Sequence, residues 1–207
     1  GSIIYLSATP SKRMQREVHA KKLESVVIPA RYHKHPLPVP TLEWCGKWEK
    51  LIKKDKLPAN VHKWVRKQME IESPIFLFVP NIALLEKVVK ILTQDYGELV
   101  AGVHAKDKER KEKVRDFREG KMKILVTTTI LERGVTVVDV QVGVLGAEDD
   151  VFTESALVQI AGRAGRSSHF PSGDVRFFHY GKTNEMVAAI DQIRRMNYQA
   201  RKGGFFQ

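Results

Sequence analysis

Residues 75–92, IFLFVPNIALLEKVVKIL, hold the reading that decides the fold. Ile75 to Val79 is an unbroken apolar run, with no alternate polar position to face water. A strand of that kind is covered on both faces, as in a parallel sheet flanked by helices. Pro80 closes it. Asn81 can then accept a hydrogen bond from the first free amides of a helix, in which Leu85, Val88, Val89 and Leu92 fall on one face at a period of 3.6. Strand, tight turn and amphipathic helix make the first two parts of a βαβ unit, so the fold class is α/β with a doubly wound parallel sheet.

The alternation extends in both directions. Downstream, Val100–Val103, Ile124–Thr127, Val140–Leu145 and Val175–His179 read as strands. Between and after them lie helical stretches. Lys106–Arg118 has Val114 and Phe117 inward and Gly120 as its C-terminal cap. Thr153–Gly162 follows, and a last helix from about Asn184 has Met186, Val187, Ile190 and Ile193 inward. Upstream, Leu42–Cys45 reads as an entry strand, followed by a lysine-rich helical region broken at Pro58 and resumed over 60–71. Residues 29–41 carry Pro29, Pro36, Pro38 and Pro40 and are expected to be extended connector. Ile3–Leu6 and Val26–Ile28 are expected as short strands on either side of a helix within 10–23. The expected organisation is therefore two parts: residues 1–40 close one lobe and link it onward, and residues 41–207 form a second lobe.

Composition narrows the partners. The 207 residues carry a formal net charge of +11, with 43% hydrophobic and 29% charged residues. An excess of that size favours an anionic partner, and phosphate backbones are the commonest one. The single cysteine, Cys45, excludes an internal disulfide framework and a cysteine-rich zinc site, and fits a reducing, cytosolic setting. No apolar run is long enough to span a bilayer, and no signal-peptide pattern opens the chain.

Three stretches carry chemistry. In Gln159-Ile160-Ala161-Gly162-Arg163-Ala164-Gly165-Arg166, two arginines three apart each follow a glycine at a helix end. Guanidinium forks match phosphate oxygens, and glycine lets a ligand approach closely. A basic helix terminus that merely favours the macrodipole explains one arginine, but not the glycine spacing or the leading glutamine. Thr127-Thr128-Thr129-Ile130-Leu131-Glu132-Arg133-Gly134-Val135-Thr136 begins where a strand ends, where open parallel sheets place ligand sites. Ser7-Ala8-Thr9 also ends an expected strand. On its own it is a short hydroxyl turn.

Together these stretches resemble the superfamily-2 helicases. Ser7-Ala8-Thr9 is similar to the coupling motif that closes a first RecA-like lobe, and Ile75–Pro80 to the strand motif that opens the second. Thr128–Thr136 is similar to the motif touching nucleic-acid backbone and nucleotide, and Gln159–Arg166 to the arginine-finger motif. Tyr32-His33-Lys34-His35-Pro36-Leu37-Pro38-Val39-Pro40, with Leu77–Pro80 and Ile130–Thr136, most resembles the bacterial competence ATPases that drive uptake of single-stranded DNA. Helicases that restart primosomes come next.

The resemblance implies roles. Arg163 and Arg166 would approach the γ-phosphate of ATP with help from Gln159. Gly134, Thr136 and Gly162 would lie near the nucleotide. Thr128, with Thr127 and His104, would meet the nucleic acid, and Ser7, Ala8 and Thr9 would couple the lobes. ATP and Mg2+ would be cofactors of the intact protein, held stably only with the first lobe. Partners would be single-stranded DNA, that lobe and other competence proteins, at the inner face of the membrane without insertion into it. Thr136 stands where many relatives carry aspartate, so the resemblance does not extend to the ribose contact. The relatives' cysteine-rich zinc module has no counterpart here.

What the sequence lacks is equally specific. No G-x-x-x-x-G-K-[ST] occurs, so this chain has no phosphate-cradling loop. Glu148-Asp149-Asp150 reads as an acidic loop rather than a magnesium site, because Gly146 and Ala147 separate it from the strand. His33 and His35 have no third metal ligand nearby in sequence. A lone His104 after a strand is usually structural. Trp44, Trp48 and Trp64 can stack on bases, but their amphipathic setting favours packing. The competing reading of the whole is a basic RecA-like module that binds nucleic acid or protein without catalysis.

Overall fold

A computed structural model describes residues 4, 5, 7, 10, 12–26, 35–128, 137, 139–165 and 173–204. Among these residues six strands form one sheet: β1 (Thr41–Trp44), β2 (Ile75–Phe78), β3 (Val100–Val103), β4 (Ile124–Thr127), β5 (Gln141–Leu145) and β6 (Val175–His179). Their order is β1-β6-β5-β2-β4-β3, and every pairing is parallel. The helices are α1 (Lys12–His19), α2 (Trp48–Ile52), α3 (Ala59–Glu70), α4 (Ile82–Tyr96), α5 (Arg110–Arg118), α6 (Glu154–Ala161) and α7 (Asn184–Lys202). A doubly wound parallel sheet is what the run at residues 75–79 predicts.

The physical basis is visible in β2, where all four residues are buried. Phe76 and Phe78 face one core with Val114, Phe117, Leu157 and Met186, from α5, α6 and α7. Ile75, Leu77 and Val79 face the other, with Val61, Trp64, Leu85 and Leu92 from α3 and α4. Successive side chains point to opposite faces, so continuous apolarity supplies two cores at once. Gly102 and Gly143 let the second layer approach closely. A Cβ at Gly102 would stand 2.6 Å from Leu85, and one at Gly143 2.9 Å from Trp64. Below the site, at the amino ends of the strands, Asp174 fastens α3 to the sheet by accepting from Trp64 Nε1 and Gln68 Nε2, each at 3.2 Å. Arg176 bridges Asp174 at 2.6 Å and also pairs with Glu43.

Asn81 and Gly120 end helices as expected, and Thr153 is a cap the sequence reading did not assign. Asn81 Oδ1 accepts from the Leu84 amide at 3.0 Å, and Thr153 Oγ1 from the Ala156 amide at 3.3 Å. Gly120 takes a φ of +76° just beyond α5.

Several expectations are corrected. Ile4 and Tyr5 lie in no strand and are 83% and 64% exposed. A strand needs a hydrogen-bonded neighbour, and these residues pair with neither edge of the sheet; Ile3 and Leu6 lie outside the described residues. Val26 is likewise outside any strand and exposed, while Val27 and Ile28 are not described. The first helix is shorter than 10–23. α5 starts at Arg110 rather than Lys106, because Asp107 Oδ1 accepts the Glu109 amide at 2.9 Å and holds a turn there. Val187 is 45% exposed, since the buried face of α7 runs through Met186, Ala189, Ile190 and Ile193.

Candidate functional site

The connection after β2 leads to α4 on one face, and that after the adjacent β5 leads to α6 on the other. Neighbouring strands whose connections part in this way open a crevice at their carboxyl ends, where such sheets bind ligands. A cavity of about 220 Å³ starts there and runs along α6, lined by Phe78, Thr153, Ser155, Ala156, Gln159, Ile160 and Arg163. Leu157, Val158, Ile160 and Ala161 turn α6 into the core. Ser155, Gln159 and Arg163 recur every four residues, so they share the outward face. Gln159 Nε2 donates to Ser155 Oγ at 3.4 Å.

The arginine turn is pinned at its backbone. Gly162 N donates to Val158 O at 2.9 Å, Arg163 N to Ile160 O at 3.0 Å and Gly165 N to Val140 O at 3.3 Å. Ala164 is fully buried. A Cβ at Gly173 would stand 2.4 Å from Gly165 N, so a second chain segment clamps the same turn from behind. The half-buried Arg163 is thereby presented to the cavity from a rigid base. A cavity this small falls below the roughly 300–1,000 Å³ of sites that enclose a small molecule. It fits one wall of a phosphate-binding crevice. A guanidinium, an amide and a hydroxyl suit phosphoryl oxygens, so the residues present fit part of an ATP site and no more. Among the described residues no three His, Cys, Asp or Glu side chains group to hold a metal ion.

The other expected positions separate. Thr127 ends β4 and Thr128 follows it, both buried, and Thr127 Oγ1 donates to Thr128 O at 3.2 Å. His104 Nδ1 accepts from the Lys106 amide at 3.2 Å, which fixes Nε2 as the protonated nitrogen of the neutral ring. His104 borders a second cavity of about 340 Å³ with Leu85, Glu86, Val89, Gly102, Asp107 and Lys113. Burial works against the Asp107 charge, but the Lys113 ammonium at 2.8 Å and the Glu109 amide outweigh it and hold the carboxyl below its usual range. Ser7 is described and exposed. Ala8, Thr9, Gly134, Thr136 and Arg166 lie outside the described residues, as does His33.

Residue-by-residue reading missed Ser155 and Thr153, although the four-residue spacing Ser155–Gln159–Arg163 is present in the sequence. It also missed a knot at the carboxyl ends of β1, β5 and β6. Trp48 Nε1 donates to Glu148 Oε1 at 2.6 Å, and the Val151 amide to Asp149 Oδ1 at 3.1 Å, so local structure engages two of the three acidic residues. Cys45 Sγ contacts His179 O at 3.4 Å. Burial and the nearby Glu148 push the Cys45 thiol up to about 12, so it carries no thiolate at neutral pH. His179 is 3% exposed, and its Nδ1 has no hydrogen-bond partner among the described residues. Burial lowers its pKa, Lys182 adds to that, and Glu148 only partly opposes it.

That lowering has a sign for stability. The unfolded chain binds this proton below about pH 6.5 while the folded chain still resists it. Stability should therefore fall as pH drops through 6.5 and level off below the folded pKa. Urea midpoints at pH 7.5 and 5.5 check this: wild type should lose more between them than His179→Gln.

Residues 53–168 match the family model described as helicase conserved C-terminal domain. The chain belongs to this family. Competence protein ComFA of Bacillus subtilis (strain 168) is 50% identical over 201 residues, 97% of this chain and 43% of that protein. Competence protein ComFA of Streptococcus pneumoniae (strain ATCC BAA-255 / R6) is 35% identical over 201 residues, 97% of this chain and 46% of that protein. This helicase C-terminal domain thus spans less than half the length of these two relatives. S. cerevisiae Dbp5, solved bound to RNA and ADP BeF3, aligns with a TM-score of 0.58 at 20% identity, over 92% of this chain and 47% of that one. At that identity the likeness shows the RecA-like helicase fold. No helix among the described residues is long and apolar enough to cross a membrane.

Proposed function

We propose that this chain is the second RecA-like lobe of an ATP-dependent motor that moves single-stranded DNA during competence. The observation that carries the reading is the row Ser155, Gln159 and Arg163 along one wall of the α6 cavity, on a backbone pinned at Val140 and Gly173. Likeness to ComFA along 97% of the chain supplies the biological setting. Residues 1–40 close and leave the first lobe, with Ser7, Ala8 and Thr9 coupling the two, and residues 41–207 make the second.

ATP with Mg2+, held chiefly by the first lobe, supplies the transferable phosphoryl group. Arg163, with Arg166 and assisted by Gln159, neutralises the charge that builds on it. Gly134, Thr136 and Gly162 border the nucleotide. Thr128, with Thr127 and His104, contacts the strand, and lobe closure and reopening alternate the grip. The motor works on the cytoplasmic side, with other competence proteins as partners.

The test uses the 207-residue chain alone. It should not turn over ATP, because the phosphate loop is absent from its sequence. It should bind oligo(dT) weakly and without sequence preference, with log affinity falling by about 0.7 per neutralised phosphate against log salt. Tight, sequence-selective binding that is flat against salt would overturn the translocase reading in favour of a non-catalytic binding module. ATP turnover that disappears in Arg163→Ala would overturn the division into lobes.

A further inference from the structure

Of the three tryptophans, the fold buries two and leaves one out. Trp48 and Trp64 are 3% and 5% exposed, whereas Trp44 is 67% exposed at the carboxyl end of the edge strand β1. Its ring is not loose. The indole Nε1 donates to Tyr180 O at 3.1 Å, Asn60 Nδ2 donates to Trp44 O at 3.1 Å, and the six-membered ring lies over Gly46. Tyr180, beside it, is 48% exposed. An indole that is both wet and held in place is a poor packing element and a good stacking platform.

Cations continue from that platform along α2. The chain leaves Trp44, passes Trp48 against Gly146 and Pro80 at the ends of β5 and β2, and reaches α4, where Lys90 Nζ lies 3.5 Å from Asp55. Along that path Lys47, Lys50, Lys53 and Lys54 are all exposed, and none is ion-paired to another described residue. Lys182 adds a further cation, close enough to lower the pKa of His179, the register partner of Trp44. From Lys47 to Lys54 the row spans about 10 Å at helical rise. A row of that length suits successive phosphates of a strand better than one triphosphate.

We propose that Trp44 and the Lys47–Lys54 row form a further contact for single-stranded nucleic acid, with a base stacked on Trp44 and the backbone running along the lysines in and beside α2. Interleaved aromatics and cations bind single strands in this way without reading sequence. The inference rests on the proposed function and adds a site outside the motif stretches.

Titration of the 207-residue chain with oligo(dT) tests it, followed by tryptophan fluorescence and by anisotropy of labelled oligonucleotide. Stacking should quench the exposed indole. Trp44→Ala should abolish the quench and weaken binding about tenfold, while Trp44→Phe, which keeps a ring, should retain most of the affinity. Melting curves of both variants confirm folding. Replacing Lys50, Lys53 and Lys54 by alanine should flatten the log–log salt slope by about 0.7 for each phosphate no longer neutralised. Wild-type affinity in Trp44→Ala overturns the inference. So does quenching of Trp44 by ATP–Mg2+ alone in the intact protein, which would assign the ring to the nucleotide base. Shielding of Trp44 from iodide in the intact protein, before DNA is added, would assign it to packing against the rest of that chain and also overturn the inference. If Thr128→Ala weakens binding while Trp44→Ala does not, this site fails and the motor reading stands. If the wild-type chain binds no oligonucleotide, both fail.

Discussion

Replacing Arg163 by alanine in the intact protein should slow ATP hydrolysis by about 10³- to 10⁵-fold while sparing most nucleotide binding. The size follows from where the charge is needed. An arginine that meets the phosphoryl group only as charge develops on it contributes to the rate far more than to ground-state affinity. The fold supports that role by holding the backbone of the turn. The turn at 162–165 is fastened to Ile160, Ala161 and Val140 by main-chain hydrogen bonds, so truncating the side chain leaves its base in place. Arg163→Lys should recover little, because an ammonium is a point charge without the planar fork. Steady-state turnover together with nucleotide binding by the same variants separates the two effects. Near-normal turnover in Arg163→Ala would show that this arginine serves the fold.

A large stability loss from a single methyl group should come at Gly146. Its φ of +76° lies in the left-handed region, where any Cβ costs roughly 1–2 kcal/mol. That Cβ would also stand 2.5 Å from Trp48 Cζ2 and 3.2 Å from Pro80 Cγ. Trp48 cannot retreat cheaply, being 3% exposed and hydrogen-bonded to Glu148. Overpacking of this kind adds about 1–3 kcal/mol. Gly146→Ala should therefore destabilise by about 2–5 kcal/mol, a large share of the roughly 5–15 kcal/mol typical of a domain. Urea denaturation measures it. Combining Gly146→Ala with Trp48→Leu separates the causes: the double variant should lose less than the sum of the two single losses, because the collision is gone and only backbone strain remains. Strict additivity would show that the ring had already moved aside.

Much of the sheet was legible because its signals are local. The apolar run at Ile75–Val79, the cap at Asn81 and the glycine beyond α5 each act within a few residues, and each stands as expected. The failures share one cause. Ile4, Tyr5 and Val26 look like strand residues by composition, but a strand exists only where another strand offers hydrogen bonds. The start of α5 moved because an aspartate side chain competed with the helix for a backbone amide.

By itself, then, the sequence determined the parallel α/β class, the two-faced burial of its central strand and the arginine-bearing end of α6. Hydrophobic periodicity, capping and glycine placement are short-range physics written into neighbouring residues. Only the tertiary structure decided how distant residues divide the work. It set Ser155 and Gln159 beside Arg163 along a cavity also lined by Phe78 of β2. It made Glu148, read from the sequence as part of an acidic loop, the hydrogen-bond partner of a tryptophan 100 residues earlier. It buried Trp48 and Trp64 while leaving Trp44 in water at the edge of the sheet. Three tryptophans of like local setting have different fates because burial depends on strand order, and strand order is settled by the packing of the whole domain.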